Sequence, residues 1–222
     1  MPHTYYPIYD YFTTQGADFL NKKVLDFGGN QGNLIKSSKG VINESNYTVL
    51  DVDKTPLSIG MQEFPNATWM HYDRFNPAYN KGGNKFLKPP ITNTYDMIVA
   101  NSVFTHTVIE EIDELVTHLY HSLNPNGSIW FTWCNIDHVP CFKFFEELRI
   151  KQFGSCDALP NKKLAYLCDN KVLDEPTIQH EYFVSFFKED YILKTLKELK
   201  PVNHKAFDPW PMDCIEIRKE IL

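Results

Sequence analysis

The sequence predicts one α/β domain in which a mostly parallel β-sheet lies between layers of helices. Short apolar or β-branched runs alternate with helical patterns from residue 23 to about residue 134. This alternation is typical of β-α-β units, whose strands lie parallel. The length of 222 residues suits a single domain. A content of 43% hydrophobic and 23% charged residues is ordinary globular composition, which excludes disordered and fibrous proteins.

Five strands and one long helix are predicted in the first part of the chain. The helix covers residues 109–123, where Ile112, Leu115, Val116 and Leu119 recur at spacings of three and four. A polar helix is expected after the first strand. The strands are predicted at residues 23–27, 47–50, 68–72, 97–100 and 128–133, and a turn at residues 124–127 precedes the last of them.

The second part of the chain interrupts this alternation and then resumes it. Residues 135–187 are interpreted as an insertion carried by the sheet domain, with a role in substrate binding. An amphipathic helix is predicted at residues 189–199, followed by a closing strand pair at 202–207 and 214–218. Residues 80–94 contain two adjacent glycines and two adjacent prolines, which predicts a surface loop longer than most.

Charge, hydropathy and cysteine content disfavour several classes of protein. Lys and Arg total 22 against 28 Asp and Glu, a net charge of −6, whereas a general nucleic-acid-binding protein needs a basic face. No stretch approaches the ~18 consecutive apolar residues of a membrane span. The first residues lack the basic-then-apolar order of a signal peptide, so a cytoplasmic protein without a membrane partner is expected. The five cysteines include no CxxC pair, which favours free thiols over a zinc site.

The first predicted strand runs into a glycine-rich turn with the sequence DFGGNQG at residues 26–32. A strand, a glycine-rich turn and a helix in this order let the backbone approach a ligand closely. The dinucleotide-binding fingerprint needs glycines at its first, third and sixth positions. Here these positions hold Gly28, Asn30 and Asn33, so the fingerprint fails. A Walker A phosphate loop fails too, because no GK[ST] triplet follows.

This turn resembles the DxGxGxG loop of class I S-adenosylmethionine-dependent methyltransferases. Asp26, Gly28 and Gly32 match the motif, and Asn30 replaces its middle glycine. Asn adopts a left-handed backbone more readily than other non-glycine residues, so the turn is expected to form in spite of this replacement.

Four further segments match this family in the same order along the chain. Asp51 ends the second strand, where the family places an acid that accepts hydrogen bonds from the ribose hydroxyls. Asp73, after the third strand, matches an acid that accepts a hydrogen bond from the adenine amino group. Residues 95–106 resemble the family's fourth strand and the loop after it, and residues 123–128 resemble its LxPGG turn.

The resemblance implies a fold, a cofactor and a set of contacts. The implied fold is a Rossmann-like α/β/α sandwich with a mostly parallel seven-stranded sheet and a lid-like insertion. Residues 1–222 would form a single methyltransferase domain, with residues 1–22 as an N-terminal lid segment. The implied cofactor is S-adenosyl-L-methionine. The residues implied to bind it are Asp26, Gly28, Gly29, Asn30, Gly32, Asp51, Val52, Tyr72, Asp73, Arg74, Asn101 and Ser102.

His106 is the first candidate for a general base. Methyl transfer is an in-line displacement at a sulfonium, so catalysis is mainly positioning plus removal of the acceptor's proton. Histidine titrates near neutrality, and His106 lies just past the fourth strand, where the methyl group is expected. His138 and His180 are weaker candidates. His118 and His121 are expected on a solvated helix face and not at a metal ion.

Several methyltransferase subtypes do not fit the residues after the fourth strand. Amino-methylating enzymes that act on nucleobases carry [DNS]PP[YFW] there, whereas residues 101–104 of this chain are NSVF. Metal-dependent catechol-type enzymes place carboxylates there to hold magnesium, and residues 101–106 contain none, so no metal is expected.

The sequence therefore predicts a metal-independent methyltransferase that acts on a small molecule as a monomer or homodimer, without a nucleic-acid partner. O-methylation is favoured because a histidine base suits a hydroxyl. Methylation of an amine or a carboxyl group of a small molecule or peptide remains an alternative, as does a non-catalytic, cofactor-binding partner subunit. Aromatic residues expected either in an apolar pocket or in the core are Phe104, Trp133, Phe142, Tyr166 and Tyr182, with a wall from Tyr5, Tyr6, Tyr9 and Tyr11.

Overall fold

The computed structural model describes residues 7–76, 79–135, 138, 185–207 and 210–220. Most of the predicted insertion at residues 135–187 lies outside the described residues, as do Tyr5 and Tyr6 of the predicted N-terminal lid. The insertion and the lid therefore stay predictions.

A single sheet carries all the strands of the described residues. The strands are β1 (Val24–Phe27), β2 (Tyr47–Asp51), β3 (Thr68–His71), β4 (Tyr95–Ala100), β5 (Leu123–Asn135), β6 (Phe186–Phe187), β7 (Val202–His204) and β8 (Asp213–Arg218). Seven strands lie side by side in the order β3-β2-β1-β4-β5-β8-β7, and the two-residue β6 pairs with the end of β5. Strands β1 to β5 are parallel to one another, whereas β8 is antiparallel to both β5 and β7. The predicted mostly parallel, seven-stranded sheet is confirmed.

The helices lie on both faces of this sheet. They are α1 (Ile8–Thr14), α2 (Asn33–Ser37), α3 (Lys54–Glu63), α4 (Ile109–His121) and α5 (Glu189–Thr195), with 3-10 turns at Glu44–Asn46, Phe104–His106 and Lys197–Leu199. The side chains of β4 alternate between two hydrophobic clusters, since successive residues of a strand point to opposite faces. Ile98 and Ala100 belong to the cluster that includes α4, and Met97 and Val99 to the cluster that includes α1. The architecture is thus the predicted α/β/α sandwich.

The structure moves several of the predicted boundaries, and three of the changes are the largest in the helices and in β5. β5 begins at Leu123, so the turn predicted at residues 124–127 lies inside a strand whose register with β4 shifts at this point. Asn126 takes a left-handed φ of 62°, which lets the strand bulge there without ending. The long helix ends at His121, and the helix predicted at residues 189–199 ends its α-helical part at Thr195.

Asp213 joins the closing strand pair to the end of β5. Its side chain is buried, and its two carboxylate oxygens accept hydrogen bonds from three donors. Nδ2 of Asn135 lies 3.0 Å away, Nδ2 of Asn203 lies 3.2 Å away and the backbone nitrogen of Ala206 lies 2.8 Å away. One acceptor thus connects β5, β7 and the segment before β8.

Asp213→Ala should lower the free energy of unfolding by roughly 3 kcal/mol, because it leaves these buried donors without an acceptor. Urea denaturation measures the change. Glu198→Ala is the control, since the Glu198 side chain is 85% exposed, and its effect should stay within about 0.5 kcal/mol. Equal effects of the two substitutions would contradict the role assigned to Asp213.

Candidate active site

A cavity of about 1040 Å³ opens at the carboxyl ends of β1, β2 and β4. Ligands of open α/β sheets bind at this edge, and the volume lies at the top of the range for small-molecule pockets. The cavity brings together most of the residues that the sequence predicted. The predicted residues that line it are Asp26, Gly28, Gly29, Asn30, Asp51, Val52, Tyr72, Arg74, Asn101, Ser102 and His106.

The glycine-rich turn after β1 forms the floor of the cavity. Gly28 has a φ of 73°, and a Cβ on it would lie 2.3 Å from Cγ2 of Val103. A Cβ on Gly29 would lie 2.5 Å from Cγ of Asp26. Both positions therefore need glycine for close packing. Asn30 has a φ of 55°, which confirms that asparagine adopts the left-handed backbone expected of it.

Asp51 ties this turn to the end of β2. Its Oδ2 accepts a hydrogen bond from the Asn30 backbone nitrogen at 2.7 Å, and its Oδ1 accepts one from the Asp53 backbone nitrogen at 2.9 Å. A carboxylate offers about four lone-pair positions, so these two bonds do not exhaust its capacity to accept from a ligand in the cavity. Burial raises the pKa of Asp51, and hydrogen bonds from the backbone of Asp53, Asn30 and Val52 oppose that rise.

Asp26 lies beneath Gly29 and is buried. The Tyr47 hydroxyl donates a hydrogen bond to its Oδ2. Burial raises the pKa of Asp26 to about 7; the Tyr47 hydrogen bond opposes this rise, and the charge of Asp51 adds to it. The turn thus rests on a carboxyl group whose ionisation is costly in the folded protein.

Because of this raised pKa, the folded protein binds more protons than the unfolded chain between about pH 4 and pH 7. The free energy of unfolding should therefore fall as the pH rises through this range and change no further above it. Asp26→Asn removes this titration. As the pH rises, the unfolding free energy of the variant relative to that of the wild type should therefore increase by up to about 1.4 kcal/mol per pH unit. Urea denaturation at pH 5 and pH 7 compares them.

Tyr47→Phe is the companion variant, because it removes the hydrogen bond that lowers the pKa of Asp26. Its unfolding free energy should fall over a pH range that extends higher than in the wild type. Parallel pH profiles for wild type and Asp26→Asn would rule out Asp26 as the source of the dependence.

The residues after β3 divide between the cavity and the outside. Tyr72 and Arg74 line the cavity, and both donate hydrogen bonds to the Leu87 carbonyl oxygen, at 2.6 and 3.0 Å. Arg74 also forms ion pairs with Glu114 at 2.9 Å and Glu111 at 3.3 Å. These contacts attach the segment between β3 and β4 to α4.

Two of the predicted cofactor contacts do not line the cavity. Asp73 is exposed, and its Oδ1 accepts a hydrogen bond from Nδ2 of Asn80 at 3.0 Å. Gly32 lies at the start of α2 with a φ of 82° and faces Trp69. Their roles as cofactor contacts stay predictions.

The turn after β4 forms the opposite wall and carries the predicted base. Ser102 has a left-handed φ of 59°, and its backbone nitrogen donates to Oγ1 of Thr132 at 2.7 Å. Such strained backbone is concentrated at functional sites. His106 lines the cavity at the end of the 3-10 turn, and its ring centre lies 6.0 Å from that of Tyr79 in an edge-on arrangement.

The other histidine and aromatic candidates lie elsewhere. His138 lies beside Asp213, with Nδ1 3.7 Å from Oδ1, and does not line the cavity; His180 is outside the described residues. Phe104 and Trp133 are fully buried in the core. Residues with no described position are Phe142, Tyr166 and Tyr182. Of the predicted N-terminal lid, Ile8 lines the cavity, whereas Tyr11 is buried and packs against Phe207 and Trp210.

Two groups of cavity residues were missed from the sequence. One comes from the loop between β3 and β4, where aromatic residues in a polar, glycine-containing segment were the available signal. The other comes from the acidic side of α4. The two groups are Phe75, Asn76, Tyr79, Lys85 and Phe86, and Glu110, Glu111 and Glu114.

Within the ranges described, no group of three or more His, Cys, Asp or Glu residues is arranged to hold a metal ion. None of the helices in those same ranges has the length and apolar composition needed to cross a membrane.

Residues 25–129 match the sequence profile of a family described as a methyltransferase domain. The matched stretch runs from β1 into β5 and so includes the glycine-rich turn, Asp51 and the turn that carries His106. This chain carries a methyltransferase domain with the fold of the class I S-adenosylmethionine-dependent methyltransferases. The prediction that the protein is a methyltransferase enzyme and the fold expected from the sequence are thereby confirmed.

Relatives of this methyltransferase agree with that assignment. It is 25% identical over 211 residues to the malonyl-[acyl-carrier protein] O-methyltransferase of Halalkalibacterium halodurans, covering 90% of this chain and 73% of the relative. Its fold matches magnesium protoporphyrin IX methyltransferase from Synechocystis PCC 6803 with a TM-score of 0.55 at 12% identity, over 96% of this chain and 76% of that one. It also matches an O-methyltransferase family protein from Burkholderia thailandensis with a TM-score of 0.58 at 11% identity, over 96% and 55% of the two chains.

Proposed function

We propose that this methyltransferase transfers the methyl group of S-adenosyl-L-methionine to an oxygen of a small-molecule acceptor, with His106 as the general base and no metal ion required. The observation that carries the proposal is that the glycine-rich turn, Asp51 and His106 all open on one cavity. The names of the relatives from Halalkalibacterium halodurans and Burkholderia thailandensis, both O-methyltransferases, also favour transfer to oxygen.

The residues at the floor of the cavity fit the cofactor. The turn is free of side chains at Gly28 and Gly29, so a ligand can approach its backbone. The remaining lone pairs of Asp51 suit two neighbouring ribose hydroxyls, and Val52 offers an apolar contact beside them. When bound, S-adenosylmethionine supplies a methyl group activated by a positively charged sulfonium.

The charge of the cavity also favours a cationic ligand. Six acidic residues line it against two basic ones, and one of the two, Arg74, is already paired with Glu111 and Glu114. The sulfonium and the amino group of S-adenosylmethionine together outweigh its one carboxylate, so the cofactor is a net cation that the ionised carboxylates of the cavity attract. The acidic lining residues are Asp26, Asp51, Asp53, Glu110, Glu111 and Glu114.

The proposed role of His106 is to take the proton from the acceptor's hydroxyl at a ring nitrogen. A neutral imidazole can accept this proton near neutral pH, and the turn after β4 presents its ring to the cavity. Residues 101–106 contain no carboxylate to hold a metal ion beside the acceptor. A base supplied by the protein is therefore the simplest way to activate a hydroxyl here.

Asp51→Ala should weaken the binding of S-adenosylhomocysteine by about tenfold or more, because the ribose hydroxyls lose a charged acceptor and the glycine-rich turn loses its tie to β2. Isothermal titration calorimetry measures the affinity. Asp53→Ala is the matched comparison, since Asp53 also lines the cavity but its Oδ1 accepts from the Thr55 backbone nitrogen at the start of α3. If Asp53→Ala loses as much affinity as Asp51→Ala, the assignment of the ribose to Asp51 is wrong.

His106→Ala should lower kcat by roughly 100-fold or more on an acceptor found by screening hydroxyl compounds for methyl transfer. Its affinity for S-adenosylhomocysteine should change by less than about twofold, since the base contacts the acceptor. His118→Ala on α4 is the control and should retain full turnover, because His118 does not line the cavity. A fully active His106→Ala variant would end the candidacy of His106, and cofactor binding without turnover on any acceptor would favour the non-catalytic partner subunit.

A further inference from the structure

The segment between β3 and β4 covers one side of the cavity. We call residues 79–87 the cover segment; its side chains Tyr79, Lys85 and Phe86 line the cavity. No helix lies between β3 and β4 in the described part of this connection. The cover segment thus occupies the place that a crossover helix takes elsewhere in the sheet.

Asn80 and Gly83 hold the cover segment against the residues after β3. Nδ2 of Asn80 donates to Oδ1 of Asp73 and to the Arg74 carbonyl oxygen, both at 3.0 Å. A Cβ on Gly83 would lie 2.5 Å from the Arg74 carbonyl carbon, so only glycine permits this approach. The backbone also pairs directly, through a bridge between Arg74 and Asn84.

Arg74 is in turn held by α4. Its guanidinium pairs with Glu111 and Glu114, and its side chain is only 6% exposed. Nη1 of Arg74 also donates to the Leu87 carbonyl oxygen at the end of the cover segment. A chain of contacts from α4 through Arg74 therefore fixes where the cover segment lies.

Tyr79 of the cover segment lines the cavity together with both His106 and Asp51. Its ring meets the ring of His106 edge-on, at 6.0 Å between centres. Burial raises the pKa of its hydroxyl, and the charges of Asp51 and Asp53 add to the rise. The hydroxyl thus stays protonated at neutral pH and can donate a hydrogen bond, and Tyr79 lines the same cavity as Asp51 and Asp53. Tyr79 is nevertheless 54% exposed, so it has surface left for a ligand.

We propose that Tyr79 is a further cofactor-binding residue, which covers the ribose bound by Asp51 and separates it from the acceptor side at His106. This inference rests on the proposed function. A tyrosine suits the position because its ring offers an apolar face and its hydroxyl a hydrogen-bond donor. The cover segment thereby contributes to the choice of cofactor, in addition to the glycine-rich turn and Asp51.

The first test compares Tyr79→Phe, Tyr79→Ala and, as a control outside the cavity, Tyr120→Phe in the full chain. Affinity for S-adenosylhomocysteine, measured by calorimetry, should fall roughly 3- to 10-fold in Tyr79→Phe, as expected for one ordinary hydrogen bond, and further in Tyr79→Ala. Tyr120→Phe should bind as the wild type does. Wild-type affinity in both Tyr79 variants would overturn the inference.

A second measurement separates contact with the ribose from a general loss of structure. Ligand-observed NMR gives the affinities for adenosine and for 2′,3′-dideoxyadenosine. Tyr79→Phe should weaken adenosine binding and leave dideoxyadenosine binding unchanged, because only adenosine has the ribose hydroxyls. An equal loss for both ligands would overturn the inference. If the wild type does not bind S-adenosylhomocysteine at all, the proposed function fails together with this inference. If Asp51→Ala loses affinity and the Tyr79 variants keep it, the proposed function stands and Tyr79 is not a cofactor-binding residue.

A pair of glycine substitutions tests whether the position of the cover segment matters. Gly83→Ala should weaken S-adenosylhomocysteine binding about as much as Tyr79→Ala does, because its Cβ would push the segment off Arg74. Gly82→Ala is the matched control, since nothing lies within 4 Å of a Cβ placed there. Equal affinities for the two variants would contradict the anchoring role of Gly83. If Gly83→Ala does not fold, the Tyr79 variants decide the question.

Discussion

The hydrogen bond from the Asn30 backbone nitrogen to Asp51 is the contact on which the rest of the site depends. It joins the turn after β1 to the end of β2, and it forms only because the turn curls back through left-handed φ values at Gly28 and Asn30. The same curl brings Val103 against Gly28, so the turn after β4 is positioned by it too. Three strand ends thus meet around one cavity through a single turn conformation.

This arrangement places acidic side chains close together. The groups that stabilise their negative charge differ between the two ends of the cavity. At the α4 end, Arg74 neutralises Glu111 and Glu114 and at the same time holds the cover segment. At the glycine-rich turn, the partners of Asp26 and Asp51 are neutral donors, a tyrosine hydroxyl and backbone amides. A cationic ligand at this end would meet carboxyl groups whose hydrogen-bond donors are uncharged, which supports the proposed binding of S-adenosylmethionine there.

The secondary structure was largely predictable because it depends on local patterns. Apolar runs bounded by turn residues located the five strands from β1 to β5, and the spacing of Ile112, Leu115 and Leu119 located α4. The predicted start of β5 was wrong because Asn126 and Gly127 are typical turn residues, yet β4 pairs with the chain on both sides of the bulge. Pairing with neighbouring strands overrides local turn preference, and a sequence does not display its neighbours.

By itself, the sequence determined the order of the elements, the glycine-rich turn and the acid at the end of β2, since strand periodicity, left-handed turn residues and spacing are local properties of the chain. The tertiary structure decided which side chains face the cavity. Asp73 and Arg74 are adjacent, but Asn80 holds Asp73 on the outside, whereas two glutamates of α4, about 40 residues later in the chain, hold Arg74 at the cavity wall. Tyr79 comes to the cavity for a related reason: Arg74, which holds its segment, is itself positioned by the glutamates of α4.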